Sequence, residues 1–262
     1  MTEAGREGAG GSRRVGLRAW LAGPAGRRLL EEERRVLEEV LQGLFGYYLI
    51  QLGAAPADLL AGSRVRHRWV LDPAPDGGDG APHVLALPGA LPVGTDLVDV
   101  VLLHHVLEFS EDPHQVLREV ERVLIPEGHV VVVAFNPWSL WGAWRLLRRP
   151  FGREEAPWSG RFLAPGRLKD WLGLLGLEPV LLRPVLFRPP GVGDGLARRL
   201  APAARCAERW VPFLAGVAVL VARKRVATLT PIRPRWRPRR SLLPVARPKV
   251  AKPTASTREG RG

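Results

Sequence analysis

Between residues 29 and 44 the apolar side chains Leu29, Leu30, Val36, Leu37, Val40, Leu41 and Leu44 recur at helical spacing, which predicts an amphipathic helix. Glu31 to Glu33 stand near its predicted start, where carboxylates favour the helix dipole. A short apolar run, Tyr47 to Leu52, stops at Gly53 and reads as a strand, and Pro56 predicts a short helix to Ala61. Arg66 to Leu71 alternates weakly and ends at Asp72-Pro73, after which DPAPDGGDGAP is a loop signal. Val84 to Leu87 and Leu97 to Leu103 are further strands, the second apolar enough for a buried parallel strand.

Pro113 opens a second amphipathic helix, with Val116, Leu117, Val120, Val123 and Leu124 on one face. It ends at Ile125-Pro126-Glu127-Gly128 and gives way to the valine-rich strand His129 to Phe135. A helix from Pro165 to Leu175, an extended segment from Pro179 to Phe187, a helical stretch from Asp194 to Trp210 and a last strand from Gly216 to Arg223 complete the pattern. Strands alternating with helices predict an α/β fold with a doubly wound, mostly parallel sheet.

Composition agrees with one substantial core: 262 residues, 46% hydrophobic and 25% charged. Cys206 is the only cysteine, so there is neither an internal disulfide nor a zinc signature, as expected in a reducing compartment. The apolar stretch Phe213 to Ala222 falls short of the ~20 residues of a membrane span, and the N-terminal apolar run is too broken for a signal peptide. A cytoplasmic protein is expected.

The net charge of +13 suggests a nucleic-acid binder until it is located. Residues 223–262 hold thirteen Lys and Arg against the single Glu259, leaving 26 basic and 25 acidic residues before them. Three regions follow: a disordered N-terminus at 1–15, an α/β domain at 16–223, and a disordered basic Pro/Arg-rich tail at 224–262. The tail, with Trp236, has two readings: RNA or DNA contact through phosphate neutralisation and base stacking, or a solvated segment of biased composition.

Leu91-Pro92-Val93-Gly94-Thr95-Asp96-Leu97-Val98-Asp99-Val100-Val101-Leu102-Leu103-His104-His105-Val106-Leu107-Glu108, then Asp112-Pro113, then Leu117-Arg118-Glu119-Val120-Glu121-Arg122-Val123-Leu124-Ile125-Pro126-Glu127-Gly128, closely resembles the class I methyltransferases of the type 11 group. The resemblance implies a Rossmann-like seven-stranded sheet with helices on both faces, S-adenosylmethionine as cofactor, and a methyl acceptor that these residues do not identify.

In an open α/β sheet, ligands bind beyond the carboxyl ends of the strands. The resemblance places the cofactor's methionine portion against the loop Gln51-Leu52-Gly53-Ala54-Ala55-Pro56-Ala57, implying cofactor contacts at Gln51, Gly53 and Ala55. The family usually has an acidic residue at the position of Gln51 and glycines at those of Ala55 and Ala57. Asp72, ending the second strand, is placed to accept hydrogen bonds from the ribose hydroxyls; the plainer reading is a turn residue before Pro73. The family's Asp for the adenine amino group is absent near Leu87, so adenine recognition falls to backbone groups around Ala90 and Leu91.

His104, His105 and Glu108 follow the fourth strand, where the resemblance places the reacting centre. Either histidine is a candidate general base, and His104 also a cofactor contact; packing is the alternative role. No metal site is expected, since adjacent histidines should diverge and no clear third ligand accompanies them. Asn136-Pro137-Trp138 is similar to a motif of amino-group nucleic-acid methyltransferases but follows the fifth strand rather than the fourth, so Asn136 reads as a turn residue bordering the site. The stretch Trp138 to Arg149 interleaves tryptophans and arginines. It reads as a capping helix packed on the core, or as an aromatic face that covers an apolar substrate or rests on a membrane surface. The altered first loop and the basic tail also support a second reading, a noncatalytic protein of this fold that holds nucleic acid through 224–262.

Overall fold

The computed structural model describes residues 13–53, 55–73, 83–148, 156–186 and 209–225, with residues 195, 199, 202 and 206 between the last two segments. Met1–Val226 forms one compact unit. The predicted tail, and with it the nucleic-acid reading of 224–262, falls almost wholly outside the described residues, as does most of the helix expected at 194–210.

Seven strands form one sheet in the order β3-β2-β1-β4-β5-β7-β6. They are β1 (Tyr48–Leu52), β2 (His67–Asp72), β3 (His83–Leu85), β4 (Val98–His104), β5 (Leu124–Phe135), β6 (Leu177–Val185) and β7 (Val217–Lys224). β3, β2, β1, β4 and β5 run parallel, and β7 pairs antiparallel with both β5 and β6. Alternate residues of the central strands feed separate cores. Val100, Leu102, Val131 and Val133 join one apolar cluster, while Val101, Leu103, Val130 and Val132 join the other.

Helix α1 (residues 13–21) and helix α2 (Pro24–Gln42) contribute to the first core, and α3 (Pro113–Val123) and α5 (Pro165–Leu174) to the second. α4 (Leu140–Arg148) follows β5 and inserts Trp141 into the first core. α3 is capped by Asp112, whose carboxylate accepts from the Gln115 amide at 3.0 Å, with Pro113 in its first turn.

Three local expectations are corrected. Residues 13–15, expected to be disordered, are helical. α2 starts at Pro24 rather than Leu29, so Glu31 to Glu33 lie in its interior and not at its positive end. The segment Pro56 to Ala61 is a series of bends and turns rather than a helix: Asp58 Oδ1 accepts from the Leu60 amide at 2.8 Å, a local bond that competes with helical geometry.

Candidate active site

Two neighbouring side chains in an extended strand point to opposite faces. His104 closes β4 in that conformation, but His105 has φ of +51°, in the left-handed region that a bulky residue seldom occupies. The chain therefore turns between them, and both imidazoles meet one carboxylate, that of Glu33 on α2. His104 Nε2 lies 2.9 Å from Glu33 Oε2, and His105 Nε2 lies 2.9 Å from Glu33 Oε1. His105 Nδ1 lies 2.9 Å from Glu108 Oε1, which also accepts from the Phe135 amide at 2.9 Å. The Phe135 ring stacks on His105 with centroids 4.1 Å apart. All four ionisable side chains are buried.

The arrangement fixes protonation. Burial favours a neutral His105, but Glu33 and Glu108 outweigh it and push its pKa up to about 10. Burial would likewise raise Glu33; the charge on His105 and the hydrogen bonds from both imidazoles instead hold it at about 2. His104 goes the other way: burial, reinforced by the nearby His105 charge, lowers its pKa despite Glu33. At neutral pH His105 is thus an imidazolium that donates from both nitrogens, and His104 is neutral. Because His104 Nε2 donates to Glu33, its unprotonated nitrogen is Nδ1. Glu108 Oε2 is buried with no hydrogen-bond partner.

The expectation that adjacent histidines diverge without a third ligand is corrected here, since the φ of His105 brings them together and α2 supplies the third group. The ligand atoms of Glu33, His104 and His105 lie within 4.8 Å of one another and could hold a metal ion. In the arrangement present, each carboxylate oxygen of Glu33 faces one ring nitrogen at hydrogen-bond distance, so the set is satisfied internally.

Beside this corner lies the loop after β1. Gly53 has φ of +87°, and a Cβ there would stand 2.7 Å from the His104 carbonyl oxygen and 3.1 Å from Val106 Cγ2, so only glycine lets the loop lie against the β4 corner. Gln51 Nε2 donates to the Gly53 carbonyl at 2.8 Å and pins the turn. Its Oε1 is buried without a partner, and Gln51 lines a small cleft with Ala55, Ala57, Asp58, Leu59, Val70 and His83. Asp72 ends β2 and is buried. Arg14 of α1, which the sequence reading missed, donates to Ser110 Oγ at 3.0 Å, and its charge interacts with Asp72 and Glu111. The Ala90 amide donates to the Leu87 carbonyl and the Leu91 amide to Glu119 Oε2, so both donors expected near adenine are engaged within the protein.

Asn136 is a fully employed turn residue. Its Oδ1 accepts from the Trp138 amide, and its Nδ2 donates to the carbonyls of Phe213 at 2.7 Å and Ala215 at 3.0 Å. The tryptophan-rich helix divides between its two readings: Trp141 packs in the core, while Trp138, Leu140, Trp144, Leu146 and Leu147 are exposed.

Glu33 is the member of this cluster that pattern reading overlooked, although its signal was present. Leu29, Glu33 and Leu37 are spaced four apart, so the carboxylate occupies a place in the apolar stripe, and all three are buried.

The sequence pattern of the family described as "Methyltransferase domain" matches residues 77–132. The YafS protein of Escherichia coli (strain K12) is 31% identical over 209 residues, covering 79% of this chain and 80% of that protein. Among solved structures, a complex between the Haloferax volcanii Trm112 methyltransferase activator and a methyltransferase is similar with a TM-score of 0.58, at 15% identity, over 82% of this chain and 99% of the other. An S-adenosylmethionine-dependent methyltransferase from Thermotoga maritima is similar with a TM-score of 0.55, at 15% identity, over 74% of this chain and 90% of the other. With the strand order, the antiparallel β7 and the corner after β4 all in place, the chain belongs to the class I S-adenosylmethionine-dependent methyltransferases, type 11 group.

Proposed function

We propose that the protein moves a methyl group from S-adenosylmethionine to an acceptor whose nucleophilic atom carries a proton, and that His104 Nδ1 takes that proton. The observation that carries this reading is the buried Glu33, His104, His105 and Glu108 network at the carboxyl end of β4. The residues present fit the cofactor. Gln51 Oε1 is an orphan acceptor beside the small-residue loop, and Asp72, ending β2 one strand further, is the carboxylate that would accept from the ribose hydroxyls. Gly53 and Ala55 would allow the close approach of the methionine portion.

When bound, the cofactor supplies a methyl group on a positively charged sulfur. The carboxylates of the cluster are tied to imidazoles, so they offer that methyl group no mobile nucleophile. His105, held as an imidazolium, accepts no proton at neutral pH. It is a positioning residue that fixes Glu33, and through it the tautomer of His104. His104, kept neutral by burial, carries its lone pair at Nδ1. Alignment of acceptor and donor supplies the rest of the rate.

Isothermal titration with S-adenosylmethionine tests the reading. Stoichiometric binding that Asp72→Ala weakens at least about tenfold, the loss expected for hydrogen bonds to a charged group, and that His104→Gln leaves intact, is the expected result. Absence of binding at millimolar ligand overturns it.

A further inference from the structure

Helix α4 carries most of its large apolar side chains outward and one of its two arginines, Arg145, inward. Leu140, Leu146 and Leu147 are each more than half exposed, Trp144 is 39% exposed, and of the nine residues only Trp141 and Gly142 are buried. Arg145 instead turns toward the protein: its Nε donates to the Trp158 carbonyl at 2.9 Å, and its guanidinium lies 5.3 Å from the Phe162 ring centroid. A surface helix facing water is built the other way round.

The apolar face extends beyond the helix. Trp138, in the turn before it, is 70% exposed, and Phe213 is 64% exposed. Asn136 ties these segments together through its bond to the Phe213 carbonyl. An exposed apolar patch of this kind marks an interaction surface. Its charge narrows the partner. Neither 136–148 nor 209–225 contains a single Asp or Glu, and Arg148 and Arg209 accompany the apolar residues. Two copies laid face to face would oppose arginine to arginine, and a soluble polyanion would leave the leucines and tryptophans in water. A bilayer with anionic headgroups meets both demands: tryptophan and leucine enter the interfacial layer and arginine stays at the phosphates.

We propose that α4, with Trp138 and Phe213, docks the protein on an anionic phospholipid surface, lying in the plane of the interface. Among the described residues no helix is long and apolar enough to cross a membrane, so the contact is peripheral. The surface adjoins the carboxyl end of β5, where Phe135 stacks on His105.

Co-sedimentation of the full chain with phosphatidylcholine vesicles, with and without phosphatidylglycerol, tests this. Binding to the phosphatidylglycerol vesicles is expected. Leu146→Asp with Leu147→Asp should lower the affinity at least about tenfold with an unchanged thermal melt. Should that pair unfold the protein, Trp144→Ser with Leu147→Ser is read in its place. Brominated lipids should quench tryptophan emission of the unsubstituted protein, and still do so at about 1 M salt, where charge attraction of the basic tail is screened. Three results overturn the proposal: no sedimentation with either vesicle, folded variants that sediment like the unsubstituted chain, or a dimer in solution that the substitutions dissociate.

Discussion

The corner after β4 and the helix after β5 both invert the ordinary distribution of side chains, in opposite senses. At the corner, four ionisable groups are sealed inside; on α4, large apolar groups are left outside. The first inversion is stable because nearly every donor and acceptor is answered within the cluster, with Glu108 Oε2 the unanswered atom. The second has no such internal answer. An inside-out site that satisfies itself belongs to the protein's own chemistry, whereas one that does not points to something beyond the chain.

The largest effect should come from breaking the corner. Glu33→Ala leaves a buried imidazolium with one carboxylate fewer and should destabilise the fold by about 3–5 kcal/mol, measured by urea denaturation. Glu33→Gln, which keeps the volume and one acceptor, should cost less. A loss for the alanine variant no greater than for an ordinary surface substitution would mean that the network does not hold α2 to the sheet.

Protonation gives the next test. His105 has a folded pKa near 10 against an ordinary 6.5, so its stabilisation is fully present below pH 6.5 and is lost as pH rises toward 10. His104, with a lowered folded pKa, loses stability as pH falls below 6.5. Glu33, with a folded pKa near 2 against 4.5, loses its contribution as pH falls from 4.5 toward 2. From this cluster, stability should therefore peak near pH 6.5. Its alkaline slope should be at most about 1.4 kcal/mol per pH unit and should flatten in His105→Gln, as read from thermal melts across pH. A variant that retains the slope would assign it to other groups.

The smallest effect should be on the outer face of α4. Leu146→Ser and Leu147→Ser should each change stability by no more than about 0.5 kcal/mol, while Trp141→Ala on the buried side of the same helix should cost about 3–5 kcal/mol. Equal losses on both sides would mean that the outer face is packed against protein, and the contrast between the two regions would disappear.

These regions also differ in how far the sequence discloses them. The apolar run of β4, the heptad-like face of α3 and the valines of β5 made the sheet legible, because period and burial coincide there. His104, His105 and Glu108 were legible as candidates from their place after β4. Their convergence was not, since it depends on one left-handed residue, His105, and on a helix distant in sequence. For α4, the sequence offered a capping helix or an outward aromatic face, and no local pattern tells which side of a doubly apolar helix faces water. Gln51 was legible as a departure from the family pattern, while its role in pinning Gly53 was visible only in the fold.

The position of β7 carries a consequence for the order of assembly on the ribosome. Among the described strands β6 pairs only with β7, and β7, the last of the seven in chain order, lies between β5 and β6. Until residues 217–224 emerge, β6 has no place in the sheet, and the valines of β5 present an open edge, the template for strand addition by another chain. Lys224 then fastens the closing strand, its Nζ reaching Asp96 Oδ1 and the Glu121 and Leu124 carbonyls at 2.8 to 2.9 Å. A chain interrupted before Val217 should therefore aggregate through β5 rather than persist as a smaller folded unit.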